Sequence, residues 1–299
     1  VPKKNNSFRP VINLSHLNVL LNVPKFKMES VAKIAPCLTV PLWGITVDLE
    51  DAFFHLPIAW EYHKYFAFEM DGKIYVFQFM PFGLSSAPWA FTRVIKPIKS
   101  HLHRLPIILF SLLDDFLILA HSPSQLEEDG QIVMSKFQSL GLSINFKKST
   151  LIPSQEVEYL GVMFHLDTLE FSIPRDKIDS ISLRLNQIAS KHFSTRRELE
   201  SLIGQIGFIS AYVPLGRLYI LPLISWLNAH SSPATRDSQL KVDNSFTSFL
   251  QIWQDPAYLH MRTPMSIPTP TLQLMTDASL IGWGGVLLPD SISGVWSKN

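Results

Sequence analysis

Three aspartates stand where a chain rarely leaves free charge. Asp48 follows the alternating run "GITV", and Asp114 and Asp115 interrupt the apolar run "PIILFSLLDDFLILAHS". An ionised carboxylate in dry protein costs on the order of tens of kcal/mol unless it is paired, neutralised or metal-bound. A plain turn between two strands would let Asp114 and Asp115 reach water, because Asp favours turns. Yet "SLLDDFL" lacks glycine, which two-residue hairpins commonly use to reach positive φ. A strand-end aspartate and an Asp-Asp pair on another segment suit metal-assisted nucleotidyl transfer. There, carboxylates hold two divalent ions about 3.5–4 Å apart, one activating a 3′-hydroxyl and one stabilising the departing pyrophosphate. Mg2+ takes oxygen ligands and keeps positions for substrate phosphates, so two Mg2+ ions are the expected cofactor, with Mn2+ an alternative. Like charges about 4 Å apart repel by roughly 4 kcal/mol at an effective dielectric near 20. Bound cations turn that repulsion into a site.

The surrounding sequence supplies elements to position these groups. Ile45, Val47 and Leu49 alternate with Thr46, Asp48 and Glu50, which predicts a strand. "KIYVFQFMPFG" predicts a strand ending at Pro81, and "SSAPWAFTRVIKPI" a helix opened by Ser86 and Pro88. Leu126, Ile132, Val133, Phe137 and Leu140 predict another helix, ending near Gly141. After residue 172 the pattern turns helical. Ile178, Ile181, Leu185 and Ile188 recur at helical spacing, and Thr195 with Glu198 forms a capping box before Leu199, Leu202, Ile203, Ile206 and Ile209. Further helices are expected near 216–229 and 243–254. The proline-rich stretch 260–271 reads as a linker, followed by a strand, turn and strand in "LQLMTDASLIGWGGVLL".

With 299 residues, 46% of them hydrophobic and 17% charged, the chain is long enough for two or three folded domains. Net charge is only +1, so no overall basic field points to nucleic acid. Basic residues nevertheless cluster before residue 37 and again at Arg184, Lys191, Arg196 and Arg197. One cysteine, Cys37, excludes an internal disulfide framework and a Cys-rich zinc site. A reducing, intracellular setting, in cytoplasm and/or nucleus, is expected. No apolar run approaches the roughly 18–20 residues of a membrane span, so no membrane partner is expected. The abrupt ends "VPKKNN" and "GVWSKN" suggest a piece of a longer polyprotein.

Taken in order, the motifs resemble those of a reverse transcriptase over about residues 1–165. "PKKNNSFRPVINLSHLN" resembles the fingers motif, "VDLEDAFFHLPI" the first palm motif, and "FMPFGLSSAPWAF" the motif shaping the nucleotide and template pocket. "LLDDFLI" resembles the aspartate-pair hairpin, "GLSINFKKS" the lysine-bearing motif after it, and "EYLGVMF" the hairpin gripping the primer end. "MTDASLIGWGG" resembles the first hairpin of a ribonuclease H domain. The whole order most resembles DIRS-type retrotransposons, with gypsy-type and hepadnavirus-like polymerases close behind.

That resemblance implies an α+β right-hand polymerase fold, with partial fingers, a palm built on an antiparallel sheet, and a helical thumb. Fingers and palm would cover 1–165, thumb and connection 166–262, and a ribonuclease H-like opening 270–299. It implies an RNA-directed DNA polymerase that adds deoxynucleotides to a primer 3′ end on an RNA or DNA template. Asp48, Asp114 and Asp115 would be catalytic and metal-binding. Lys148, or its neighbour Lys147, would protonate the leaving pyrophosphate. Lys3, Lys4 and Arg9 would contact the triphosphate, and Asp51, Ala52, Phe53 and Phe82 would line the deoxynucleoside triphosphate site. Asp51 serves equally well as a simple cap. Phe53 would lie under the sugar and exclude a 2′-hydroxyl. Tyr159, Leu160 and Gly161 would form the primer grip, and Asp277 would be the first ribonuclease H-like carboxylate. Arg184 to Arg197 would track a duplex backbone. A degenerate copy that binds nucleic acid without catalysis is the alternative. Leu112 supports it, because the family usually has an aromatic residue two places before the first aspartate of the pair.

Overall fold

The computed structural model describes residues 12–232, 236–266 and 271–296. They fall into two compact units, one reaching Met265 and the other beginning at Ser266. The first runs through α1 (Ser15–Leu20), α2 (Val31–Ile34), β1 (Trp43–Asp48), and the hairpin of β2 (Ala67–Met70) and β3 (Lys73–Val76). It continues with α3 (Ala87–His103), the hairpin of β4 (Ile108–Leu112) and β5 (Asp115–Ala120), and α4 (Pro123–Ser139). Next come β6 (Thr150–Ser154), β7 (Glu156–Tyr159), β8 (Val162–His165) and β9 (Glu170–Ser172). The helical part holds α5 (Arg175–Ala189), β10 (Phe193–Thr195), α6 (Arg196–Ile209), α7 (Gly216–Tyr219) and α8 (Leu221–His230). It ends with β11 (Gln239–Lys241), α9 (Asn244–Gln254), α10 (Pro256–Leu259) and β12 (Thr263–Pro264).

The central antiparallel sheet has the order β4-β5-β1-β6. Its strand β5 explains the continuous apolar run after the aspartate pair. Phe116, Ile118 and Ala120 pack with Phe91 of α3 and Val133 and Phe137 of α4. Leu117 and Leu119 point the other way, onto Val157, Phe164 and Leu166. A strand covered on both faces needs apolar residues at every position, not at alternate ones. Helix α4 lies close to β1, since a Cβ added at Gly130 would stand 2.7 Å from Ile45 Cδ1. A second antiparallel sheet, β12-β9-β8-β7, backs the first. The helices α5, α6, α8, α9 and α10 bury their own core, with Leu185, Leu202, Ile206, Phe246 and Trp253 at its centre.

Three sequence expectations need correction. Strand β3 stops at Val76, well short of Pro81. The chain turns inward there: Phe77 packs 5.2 Å from Phe68 and 6.2 Å from Phe54, and Met80 N–H donates to Leu56 O. The helix expected over 216–229 is split at Ile220, because Pro222 opens α8 and brings no N–H to continue α7. The linker over 260–271 is partly structured: Thr263 and Pro264 pair with Phe171 and Glu170, and Met265 is buried. Residues 267–270 lie outside the described residues.

The second unit is an antiparallel sheet of β13 (Met275–Ala278), β14 (Gly282–Leu287) and β15 (Asp290–Val295). Its last strand adds to the expected strand, turn and strand. No helix among the described residues is long and apolar enough to cross a membrane.

Candidate active site

The pairing of β1 with β5 sets Asp48 directly opposite Asp115. The β4–β5 hairpin closes through Leu113 and Asp114, with Leu112 paired to Asp115. Leu113 takes φ +54°, so this turn reaches positive φ through a leucine rather than a glycine. Such a conformation costs about 1–2 kcal/mol for a residue with a Cβ, and surrounding contacts must hold it. Asp114 O accepts from Leu49 N–H at 3.0 Å, tying the turn back to the end of β1. Asp48 itself is fixed at both backbone ends. Its N–H donates to Ser149 Oγ at 3.0 Å, and its carbonyl accepts from Asn145 N–H at 2.8 Å.

Asp48 is buried at 7% exposure, yet among the described residues its Oδ1 accepts no hydrogen bond. Lys148 Nζ stands 3.4 Å from Oδ1 and 3.5 Å from Oδ2, so Lys148 is the lysine that reaches this carboxylate. Burial, then the charges of Asp114 and Asp48, push the Asp115 carboxyl up to about 6, with Lys148 pulling the other way. Asp115 keeps one face open to solvent, so crowding by two carboxylates matters beside burial. A buried oxygen that accepts no hydrogen bond, facing a carboxylate that resists ionising, is a place built for positive charge, and Lys148 already supplies one. Among the described residues no group of three or more His, Cys, Asp or Glu stands ready as a metal cage. The donor set still fits Mg2+, which is commonly bound by one or two carboxylates together with substrate phosphates. Asp48 and Asp115, with Asp114 at the turn, would hold it.

Beside the carboxylates lies an aromatic cluster. Asp51 adopts φ +45° and opens a short 3-10 turn over Ala52–His55, in which Ala52 is buried. Phe53 is half-buried, its ring 5.3 Å from Phe82 and 6.0 Å from Phe91. The structure therefore brings Asp51, Ala52, Phe53 and Phe82 together beside Asp48. Lys3, Lys4 and Arg9 lie outside the described residues.

Tyr159, Leu160 and Gly161 form the β7–β8 turn, with φ +51° at Leu160 and +71° at Gly161. Two positive φ values in succession are the mark of a type I′ hairpin. The Tyr159 hydroxyl donates to Asp115 O at 3.1 Å, and burial followed by the Asp115 charge holds its phenol well above the usual range. This hairpin thus supports the aspartate strand from below. Asp277 lies in the second unit, on β13, where its Oδ1 accepts from Ala278 N–H at 2.9 Å.

Three residues of the basic cluster around α6 are drawn into local pairs. Arg196 is buried and bonds Glu200, Asn228 and Ser231. Lys191 pairs with Glu198, and Arg197 with Asp237. These partners lie four to forty residues away, which periodicity does not reveal. Sequence reasoning also missed Ser149 and Asn145, which fix Asp48 from a segment 101 and 97 residues downstream. Their only signal was proximity to Lys148.

The model of the reverse transcriptase (RNA-dependent DNA polymerase) family matches residues 1–164. Protein P of duck hepatitis B virus (strain United States/DHBV-16) is 21% identical over 261 residues, covering 87% of this chain and 30% of the viral protein. Protein P of heron hepatitis B virus is 24% identical over 261 residues, covering 87% and 32%. The Gag-Pro-Pol polyprotein of human T-cell leukemia virus 2 is 26% identical over 200 residues, covering 63% and 13%. The chain thus spans a third or less of these relatives. Among solved structures, the foamy viral protease-reverse transcriptase with double-stranded DNA superposes with TM-score 0.74 at 20% identity, covering 99% of this chain and 50% of that one. The same enzyme with an RNA/DNA hybrid gives TM-score 0.71 at 21% identity, covering 99% and 39%. The fold is therefore the α+β polymerase fold of retroviral reverse transcriptases, and the chain belongs to the reverse transcriptase (RNA-dependent DNA polymerase) family.

Proposed function

We propose that this chain is the polymerase portion of an RNA-directed DNA polymerase, adding deoxynucleotides to the 3′ end of a primer on an RNA or DNA template. The observation that carries the reading is the Asp48–Asp115 pair beside Lys148, with one buried oxygen that accepts no hydrogen bond and one carboxyl raised to about 6. Two divalent cations, Mg2+ or Mn2+, bound there would neutralise the reacting phosphates and acidify the primer hydroxyl. Asp48, Asp114 and Asp115 are the residues that would hold them. Phosphoryl transfer asks the protein mainly for positioning and charge stabilisation. Phe53 sits under the incoming sugar, where an apolar ring offers a 2′-hydroxyl no partner. Phe82 packs beside the nucleotide, and the turn at Asp51 and Ala52 presents backbone to the triphosphate. Lys148 gives a proton to the departing pyrophosphate, and Lys3, Lys4 and Arg9 bind the triphosphate from the fingers side. The Tyr159–Gly161 turn holds the primer terminus.

The motif order supports origin in a retrotransposon, most like DIRS-type, with gypsy-type and hepadnavirus-like polymerases as the alternatives. Asp277 fits the first carboxylate of a ribonuclease H-like domain. Nucleic acid accompanies the foamy viral neighbours, which supports a primer–template partner here. A non-catalytic binder is the second reading, favoured by Leu112 at the position before the hairpin turn. Primer extension by the chain on RNA and DNA templates, with Mg2+ or Mn2+, decides between them. Extension with deoxynucleotides supports the polymerase; tight primer–template binding without any extension supports the second reading.

A further inference from the structure

Strand β4 is the outer edge of the central sheet, so half of its N–H groups face away from β5. One of them, Ser111 N–H, is taken by a carboxylate from far upstream: it donates to Glu29 Oε2 at 2.6 Å. The other oxygen, Oε1, accepts from Lys99 Nζ of α3 at 2.5 Å. Lys99 is nearly buried there, with 13% of its side chain exposed, and Glu29 is two-thirds buried. The bonded amide lies three residues before Asp114, on the strand that leads into the positive-φ Leu113. Leu113 lines the same cavity of about 330 Å3 as Glu29 and Lys99, together with Phe91 and Ile95. From the opposite side, the Tyr159 hydroxyl bonds Asp115 O. The hairpin is therefore gripped at Ser111 from its edge and at Asp115 from beneath.

We propose that Glu29, neutralised by Lys99, is a positioning residue that holds the aspartate hairpin in its left-handed turn and so sets where Asp114 and Asp115 stand relative to Asp48. Glu29 bonds Lys99 and the β4 backbone rather than the aspartate carboxylates, so it acts through the strand. The inference rests on the polymerase reading for its kinetic consequence and on the structure alone for its mechanical one. A charge-assisted bond to a strand-edge amide is stronger than a neutral one. Losing it frees the turn to relax, and a shift of about 1 Å at reacting groups can cost on the order of 10²-fold in rate.

The test compares the unaltered chain with Glu29→Ala and Glu29→Gln. Glutamine keeps an oxygen for Ser111 N–H, although it loses the charge. Single-nucleotide incorporation on a primer–template should slow by about 10²-fold in Glu29→Ala with primer–template affinity unchanged, and part of that loss should be recovered in Glu29→Gln. Amide hydrogen exchange over 110–116 should be about tenfold faster in Glu29→Ala, with the helices α5 to α9 unaffected. Equal rates and equal hairpin exchange in Glu29→Ala overturn the proposal. So does faster exchange spread evenly over the chain, or a glutamine variant as impaired as the alanine. If the unaltered chain does not extend primers, the polymerase reading fails, and the exchange measurement still decides the clamp.

Discussion

Asp48 and Asp115 face each other across one strand pair, so protons and cations compete for the same few oxygens. Because the Asp115 pKa rises from 3.8 to about 6, the folded chain binds a proton there that the unfolded chain releases. Its contribution therefore favours the fold below about pH 4 and is lost as pH rises through about 6. Without divalent ions, the melting temperature should fall over that interval, and Asp115→Asn should flatten the dependence. A profile unaltered by Asp115→Asn would mean that this carboxyl titrates normally. Phe53 gives a second residue-scale prediction. Its ring contacts Phe82 and Phe91 without a polar partner for a 2′-hydroxyl, so Phe53→Ala should raise ribonucleotide incorporation relative to deoxynucleotide. Measured ratios equal to those of the unaltered chain would remove Phe53 from sugar selection. The aspartates themselves were legible in the sequence because charge inside an apolar run is conspicuous. Ser149, Asn145 and Glu29 were not, nor was the bond from Tyr159 to Asp115, because each acts through a backbone atom many residues away.

Elements with a regular apolar period were readable directly. Helices α5 and α6 bury the residues that their spacing selects, and Thr195 and Glu198 close a full capping box. Hydrogen bonds from Lys191, Ser194 and the Thr195 backbone hold the Glu198 carboxyl down to about 2. Glu198→Ala should cost about 1 kcal/mol in chemical denaturation, as loss of a helix cap does. Since the folded pKa is depressed, that stabilisation is present above about pH 4.5 and fades as pH falls towards 2, so the two proteins should converge in acid. A constant difference from pH 7 to pH 2 would point to packing rather than to the cap. Other elements were misread for equally physical reasons. Strand β3 ends early because the backbone beyond Phe77 bonds a different segment, Gln78 O accepting from Ile58 N–H and Met80 N–H donating to Leu56 O. The α7–α8 break follows from one missing N–H at Pro222. Strand β5 alone carries no period, since both of its faces are covered, and only the sheet order made sense of it.

At the scale of the molecule, the net charge of +1 leaves local geometry to recruit a polyanion. Several of its cations, Arg196, Lys191 and Arg197 among them, are already committed to acidic partners. Primer–template binding should nonetheless weaken by at least about tenfold between 50 and 200 mM salt, the loss expected from neutralising roughly two phosphates. Fluorescence anisotropy titrations measure this, and a flat response would argue against backbone contacts. The order of motifs made the polymerase fold readable over the first half of the chain, and the thumb-like helices were readable as helices. Their charge pairing was not, because it depends on how helices and loops from 191 to 237 meet. The central claim is that two facing carboxylates, Asp48 and Asp115, with Asp114 beside them, make a metal-dependent nucleotidyl transfer site. The most direct test measures single-turnover extension of a primer on an RNA template by the unaltered chain and by Asp48→Asn, together with primer–template affinity. The account predicts extension by the unaltered chain, none by Asp48→Asn, and equal affinity in both; normal extension by Asp48→Asn would contradict it.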